Sequence, residues 1–173
     1  HPLLAKRGTE SRGGPALAPL TPMTTVLNPL ARAPARVLGL AGLIPFVGLT
    51  VAMYVDAAPR GWVALAQLAY AATIVSFIGA LHWGLAMRDA TLDRAALWQA
   101  LGWGVLPSLL AWLALLAPLG TGFWLLCAAV PACWWMDVRL ARTLTLEPWY
   151  LQLRTLLSVV VTICLAASAL ALP

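Results

Sequence analysis

Charge is scarce in this chain. Asp, Glu, Lys and Arg make up 10% of its 173 residues, and 62% are hydrophobic. A soluble globular domain is about half apolar and about a quarter charged. So much apolar side chain excludes a soluble fold for most of the length and calls for a hydrocarbon solvent. One compact membrane domain is the count this length supports. Acid is scarcer than base, six against eleven, for a net charge of +5. The basic residues do not gather beside aromatics as a nucleic-acid surface would need. They lie between apolar runs, where they act as topology signals, so no nucleic-acid partner is expected. Histidine is limited to His1 and His82. Haem held between two histidines needs a second one in the membrane, and His1 is on the N-terminal tail. A His and carboxylate metal site lacks ligands. The cysteines are three, Cys127, Cys133 and Cys164, all in apolar runs. Their number is odd and their spacing matches no metal motif, so they read as small buried hydrophobes. A glycine-rich phosphate loop and a nucleophile elbow are both missing. The expectation is therefore no metal, no cofactor and no catalytic residue, leaning away from an enzyme.

What the chain does have is five apolar runs, at 37–55, 62–87, 97–117, 122–140 and 151–172. Each is near the roughly 20 residues that a bilayer demands. Spanning segments must be helical, because unpaired backbone groups are not tolerated in lipid. The fold class expected is all-α: a five-transmembrane-helix bundle forming a single domain over 37–173. Pro45, Pro107 and Pro131 fall inside runs and predict kinks or irregular turns. Residues 1–36 hold six of the thirteen prolines, Gly13-Gly14 and five basic residues against one acid. Such a segment predicts a disordered or loosely ordered basic tail. Its Arg-rich, acid-poor character faintly resembles an organelle transit peptide, and a basic cytoplasmic tail is the plainer reading. The first residue is not Met, which points to a fragment, a processed product or a trimmed chain.

Loop charges set an orientation. With the N-terminal tail in the cytoplasm, Lys6, Arg7, Arg12, Arg32, Arg36, Arg88, Arg94, Arg139, Arg142 and Arg154 fall inside, leaving Arg60 outside. The positive-inside rule then puts the C-terminus outside. The Ala, Leu and Arg bias hints at a GC-rich bacterium, so a bacterial inner membrane is expected, with the mitochondrial inner membrane as the alternative.

The stretch 76–84, Ser-Phe-Ile-Gly-Ala-Leu-His-Trp-Gly, singles itself out. His82 is the one histidine in an apolar run, and an imidazole there needs a partner or a watery pocket. It lies six residues before Arg88, about 9 Å along the helix. Asp137 near the end of the fourth run and Arg154 near the start of the fifth share that depth. Ionisable groups in an apolar layer are expected to pair. One reading of His82, Asp137 and Arg154 is an inner-leaflet binding pocket; the other is a satisfied cluster that pins helices together. Ser76, Gly79, Ala80 and Trp83 share one helical face by their i, i+3, i+4, i+7 spacing. With Gly84 they predict a close helix–helix contact. Trp149 and Tyr150 read as anchors at the membrane interface.

These residues resemble the DUF3429 family, which includes the mitochondrial transmembrane protein 69 group. Residues 76–84 are similar to its SFxGxxHWG stretch. Pro107-Ser108 with Trp112 is similar to its PSLLAW segment, Asp137 to the acid ending its fourth helix, and Trp149-Tyr150 with Leu153-Arg154 to its WYxxLR entry into the last. The family usually carries two glycines before the His-Trp pair, where this chain has Gly79-Ala80. The resemblance implies an integral membrane protein of unestablished function. Three functions then compete. The first is a non-enzymatic accessory or assembly protein, packed against other membrane proteins or a second copy of itself. The second is a binder of a lipid or quinone near His82. The third, a small oligomeric channel or transporter, is weakened because five helices cannot divide into two equal inverted repeats.

Overall fold

The computed structural model describes residues 29–55, 59–88, 90, 92–143 and 148–172. These form a short 3-10 turn, Pro29–Ala31, and the helices α1 (Arg32–Ala41), α2 (Leu43–Tyr54), α3 (Arg60–Arg88), α4 (Arg94–Leu116), α5 (Leu119–Thr143) and α6 (Pro148–Leu170). Five segments are long and apolar enough to cross a membrane, α1 and α2 counting together as one. The chain is thus the all-helical membrane protein its composition implies.

Helices begin earlier than the apolar runs do. Residues 32–36, expected in a disordered tail, form the first turns of α1. The remainder of that tail expectation lies outside the described residues, apart from the turn at Pro29–Ala31. Helices α3 to α6 start two or three residues before their runs. The reason is that hydropathy ends where side chains turn polar, whereas the backbone need for internal hydrogen bonds continues into the interface. Pro34 is no obstacle, because the first-turn N–H it lacks has no intrahelical partner anyway. At α4 the sequence supplies a cap: the Asp93 carboxylate accepts a hydrogen bond from Ala96 N at 2.7 Å, satisfying one of the free N-terminal donors.

The prolines act unequally. Pro45 lacks the N–H that would bond to the Ala41 carbonyl four residues back, and its ring crowds that carbonyl. The helix is interrupted there, α1 ending at Ala41 and α2 starting at Leu43. The Tyr70 hydroxyl donates to the Gly42 carbonyl at the junction, 3.0 Å, and the Tyr70 ring leans on Phe46 with centroids 5.0 Å apart. By contrast, α4 runs on through Pro107 and α5 through Pro131 as helix.

Helix α3 is the centre of the bundle, packed by α2, α4 and α5, while α6 lies against α1, α2 and α5. The buried face of α3 repeats at three- and four-residue steps, and five of its eleven buried residues are small: Ala64, Ala71, Ala72, Gly79 and Ala86. Helix α4 answers with Gly104, Pro107, Ala111 and Ala114. Lipid removes the hydrophobic drive between helices, so close backbone approach across small residues is what joins them. Large side chains fill the space between helices elsewhere, with Phe46, Met53, Leu68, Phe123, Leu126 and Leu165 all fully buried.

Candidate functional site

Three helices deliver one ionisable side chain each to a common point. His82 comes from α3, Asp137 from α5 and Arg154 from α6, and all three are buried. Arg154 Nε donates to Asp137 Oδ2 at 2.6 Å, and Arg154 Nη2 lies 2.5 Å from the same oxygen. His82 Nε2 stands 2.9 Å from Asp137 Oδ1. The two contacts made by Nη2 and by Nε2 are close but off the line of a hydrogen bond. The directed link is therefore the one from Arg154 Nε. The carboxylate bridges the other two groups, one oxygen to each. Low dielectric strengthens that attraction, and desolvation opposes it.

Two voids flank the triad. A cavity of about 400 Å³ is walled by α1, α2, α3 and α6 together with Val130 of α5, and includes Tyr150 and Arg154 in its lining. A smaller void of about 30 Å³, next to His82, Trp103, Pro107, Cys133 and Met136, has room for a water molecule. The two share no lining residue, and Asp137 lines neither. The carboxylate thus lies between a cation facing the large cavity and an imidazole facing the small one.

The residues of the 76–84 stretch divide. Gly79 packs on α4, where a Cβ would collide with the Gly104 carbonyl. Trp83 lies against Gly104 and donates its indole N–H to the Leu101 carbonyl at 2.8 Å. Ser76 is half-buried. Ala80 is exposed, and Gly84 has open space where a Cβ would go. Neither of these two makes the close contact expected from its place in the stretch. The reason is angular: Gly79 and Trp83 point at α4, and Ala80, one position on, is turned about 100° away. Trp149 and Tyr150 meet edge to face at the start of α6, with centroids 6.2 Å apart. Tyr150 also forms part of the cavity wall, which a pure interface anchor would not. Arg139, two residues after Asp137 and so about 200° round the helix, stays out of the triad and stacks on the Trp135 ring at 4.6 Å.

A second polar group escaped the sequence reading. Gln67 Nε2 donates to Thr50 Oγ1 at 2.9 Å, and Ser168 Oγ donates to Gln67 Oε1 at 2.7 Å. Gln67 and Ser168 have no exposed surface. The signal is a glutamine inside the 62–87 run, which leaves the run's apolar pattern intact because it carries no charge. Gln67 stands fifteen residues before His82, about 22 Å away along α3. One polar layer therefore sits toward each end of the bundle, with the large cavity's α3 wall, Ile74 to Leu81, between them.

The profile of DUF3429, described as a protein of unknown function, matches residues 31–170. Transmembrane protein 69 of Xenopus tropicalis is 39% identical over 139 residues, covering 78% of this chain and 53% of that protein. The chain thus spans about half the length of that relative. No solved structure matches. The matched residues run from the start of α1 to the end of α6 and include His82, Asp137 and Arg154, and on that coverage the chain belongs to the DUF3429 family.

Proposed function

We propose that this is a non-enzymatic membrane protein that holds a hydrophobic, polar-headed ligand of the lipid or quinone kind in the cavity beside Arg154. The observation that carries the reading is the cavity itself, about 400 Å³. Ligand pockets of about 300–1,000 Å³, mostly apolar with a few placed polar groups, are what small-molecule binding uses. An intramembrane ionisable cluster with a cavity against it is a binding arrangement rather than a mere helix clamp.

The experiment is extraction of the purified protein in mild detergent followed by native mass spectrometry. About one hydrophobic molecule per chain is the expected result. Leu81 lines the cavity yet is partly exposed, so Leu81→Trp should narrow it at little cost to the fold and reduce the load of that molecule. Met87→Trp, at an exposed position outside the lining, should not. A chain that carries nothing, or the same load in both variants, overturns the reading.

A second reading, an accessory or assembly protein packed on other membrane proteins or on its own copy, is favoured by α4. That helix buries little of its surface and presents Trp103, Leu106, Leu109, Leu110 and Leu113 outward. A stoichiometric protein partner in the same mass spectrum would support it. In either case the membrane is a bacterial inner membrane, or the mitochondrial inner membrane, with the N-terminal end inside. Reporter fusions after Arg94 should then read as cytoplasmic and fusions after the final residue as external. Reversal of the two signals would refute that orientation.

A further inference from the structure

We infer that the ligand of the large cavity is a single-chain amphiphile with an anionic head, a carboxylate or a phosphate monoester, and that Arg154 receives the head. This rests on the reading above that the cavity holds a ligand. The first support is the polarity of the triad. Arg154 forms part of the cavity wall, and Asp137 and His82 do not. Arg154 is thus the charged member of the triad that a group entering the cavity meets, with the carboxylate that balances it outside the lining.

The second support is unspent hydrogen-bonding capacity. A guanidinium carries five N–H donors in a fixed fork. Arg154 directs Nε at Asp137 Oδ2 and holds Nη2 against the same oxygen without a directed bond. Asp137 is its one partner among the described residues. Arg154 is 8% exposed, and unmet N–H groups in a lipid layer are costly. Carboxylate and phosphate oxygens accept paired, charge-assisted bonds from such a fork. A quinone carbonyl is neutral and gains less. Tyr150 belongs to the same wall, and a tyrosine carries a hydroxyl donor.

The third support is what the rest of the wall offers. Leu38, Leu43, Phe46, Ile78 and Leu157 give an apolar surface for an alkyl chain. At about 400 Å³ the cavity is at the small end of ligand sites, the room that one alkyl chain needs.

The test uses the full chain in nanodiscs of neutral phosphatidylcholine and compares four probes by titration: laurate, dodecyl phosphate, dodecanol and a short-chain quinone. The two anions are expected to bind roughly tenfold or more tighter than dodecanol, the gain that one hydrogen bond to a charged group supplies. Whichever anion binds tighter identifies the head as carboxylate or phosphate. In the double variant Asp137→Asn with Arg154→Gln, the anions should fall to the level of dodecanol. The wild-type comparison stands without any variant, should the double substitution fail to fold. Equal affinity for all four probes, or a preference for the quinone, overturns the anionic head and leaves the ligand reading intact. If none of the four binds, both go.

Discussion

Gly79→Leu is expected to destabilise the bundle by more than the roughly 1–3 kcal/mol of ordinary overpacking, while Gly84→Leu, five residues on, stays within about 0.5 kcal/mol of wild type. Both glycines belong to the same short stretch of α3, and both sit in helix, so the intrinsic backbone gain on replacing glycine is shared. What differs is the neighbour. A Cβ at Gly79 runs into the Gly104 carbonyl of α4, with the Pro107 Cβ 3.5 Å away. Backbone cannot rotate aside as a flexible side chain can, so α3 and α4 must separate. Separation also pulls Trp83 from Gly104 and breaks its indole bond to the Leu101 carbonyl. At Gly84 a Cβ meets nothing within 4 Å. Thermal unfolding of the two variants in one detergent measures the contrast, and equal midpoints would show that α3 and α4 are not joined at Gly79.

The same pair of glycines shows how far a sequence can be read. That the stretch packs against a neighbour follows from small residues in a lipid-embedded run. Which of Gly79, Ala80 and Gly84 makes the contact depends on the rotation of α3 about its axis, and the apolar pattern of a membrane helix does not fix rotation. In water one face is polar and orients the helix; here lipid accepts Leu65, Phe77 and Val105 as readily as the interior accepts Val63 and Val75. The five spans were legible because hydropathy registers length. Their ends were not, since Arg32, Arg60 and Arg94 stand in helical first turns that look like loops by polarity alone. The break before Pro45 was legible because proline carries a local steric rule.

Charge was the most informative signal. Placing His82, Asp137 and Arg154 at one depth needs only helix rise and loop boundaries, and a buried charge must find a partner. Neutral polar residues give no such warning. Gln67, Thr50 and Ser168 form an equally buried set, yet each taken singly is a tolerable residue in a membrane helix. The cavity left still less trace. A void is set by what several helices fail to fill, and no single run of sequence encodes it.

Asp137→Ala is expected to cost about 3–5 kcal/mol, the range seen when one partner is stripped from a buried ion pair. The Asp137 carboxylate is the common acceptor, with Oδ2 facing Arg154 and Oδ1 facing His82. Its loss leaves a guanidinium in a lipid-depth interior with no counter-charge among the described residues. Arg154→Ala should cost a similar amount for the mirror-image reason, leaving a carboxylate with only an off-line imidazole beside it. The double alanine variant should then cost less than the two losses added, by about 0.5–3 kcal/mol of coupling. The double variant Asp137→Asn with Arg154→Gln should lie nearest to wild type, because it removes both charges together and keeps amides of similar shape. His82→Gln should cost least of the single changes, since its contact at 2.9 Å is poorly directed and an amide can take its place. Chemical or thermal unfolding of the whole series in one detergent provides the cycle. Strict additivity of the two alanine losses would mean that Asp137 and Arg154 stabilise the bundle independently, and the ion pair would then contribute nothing that the separate side chains do not.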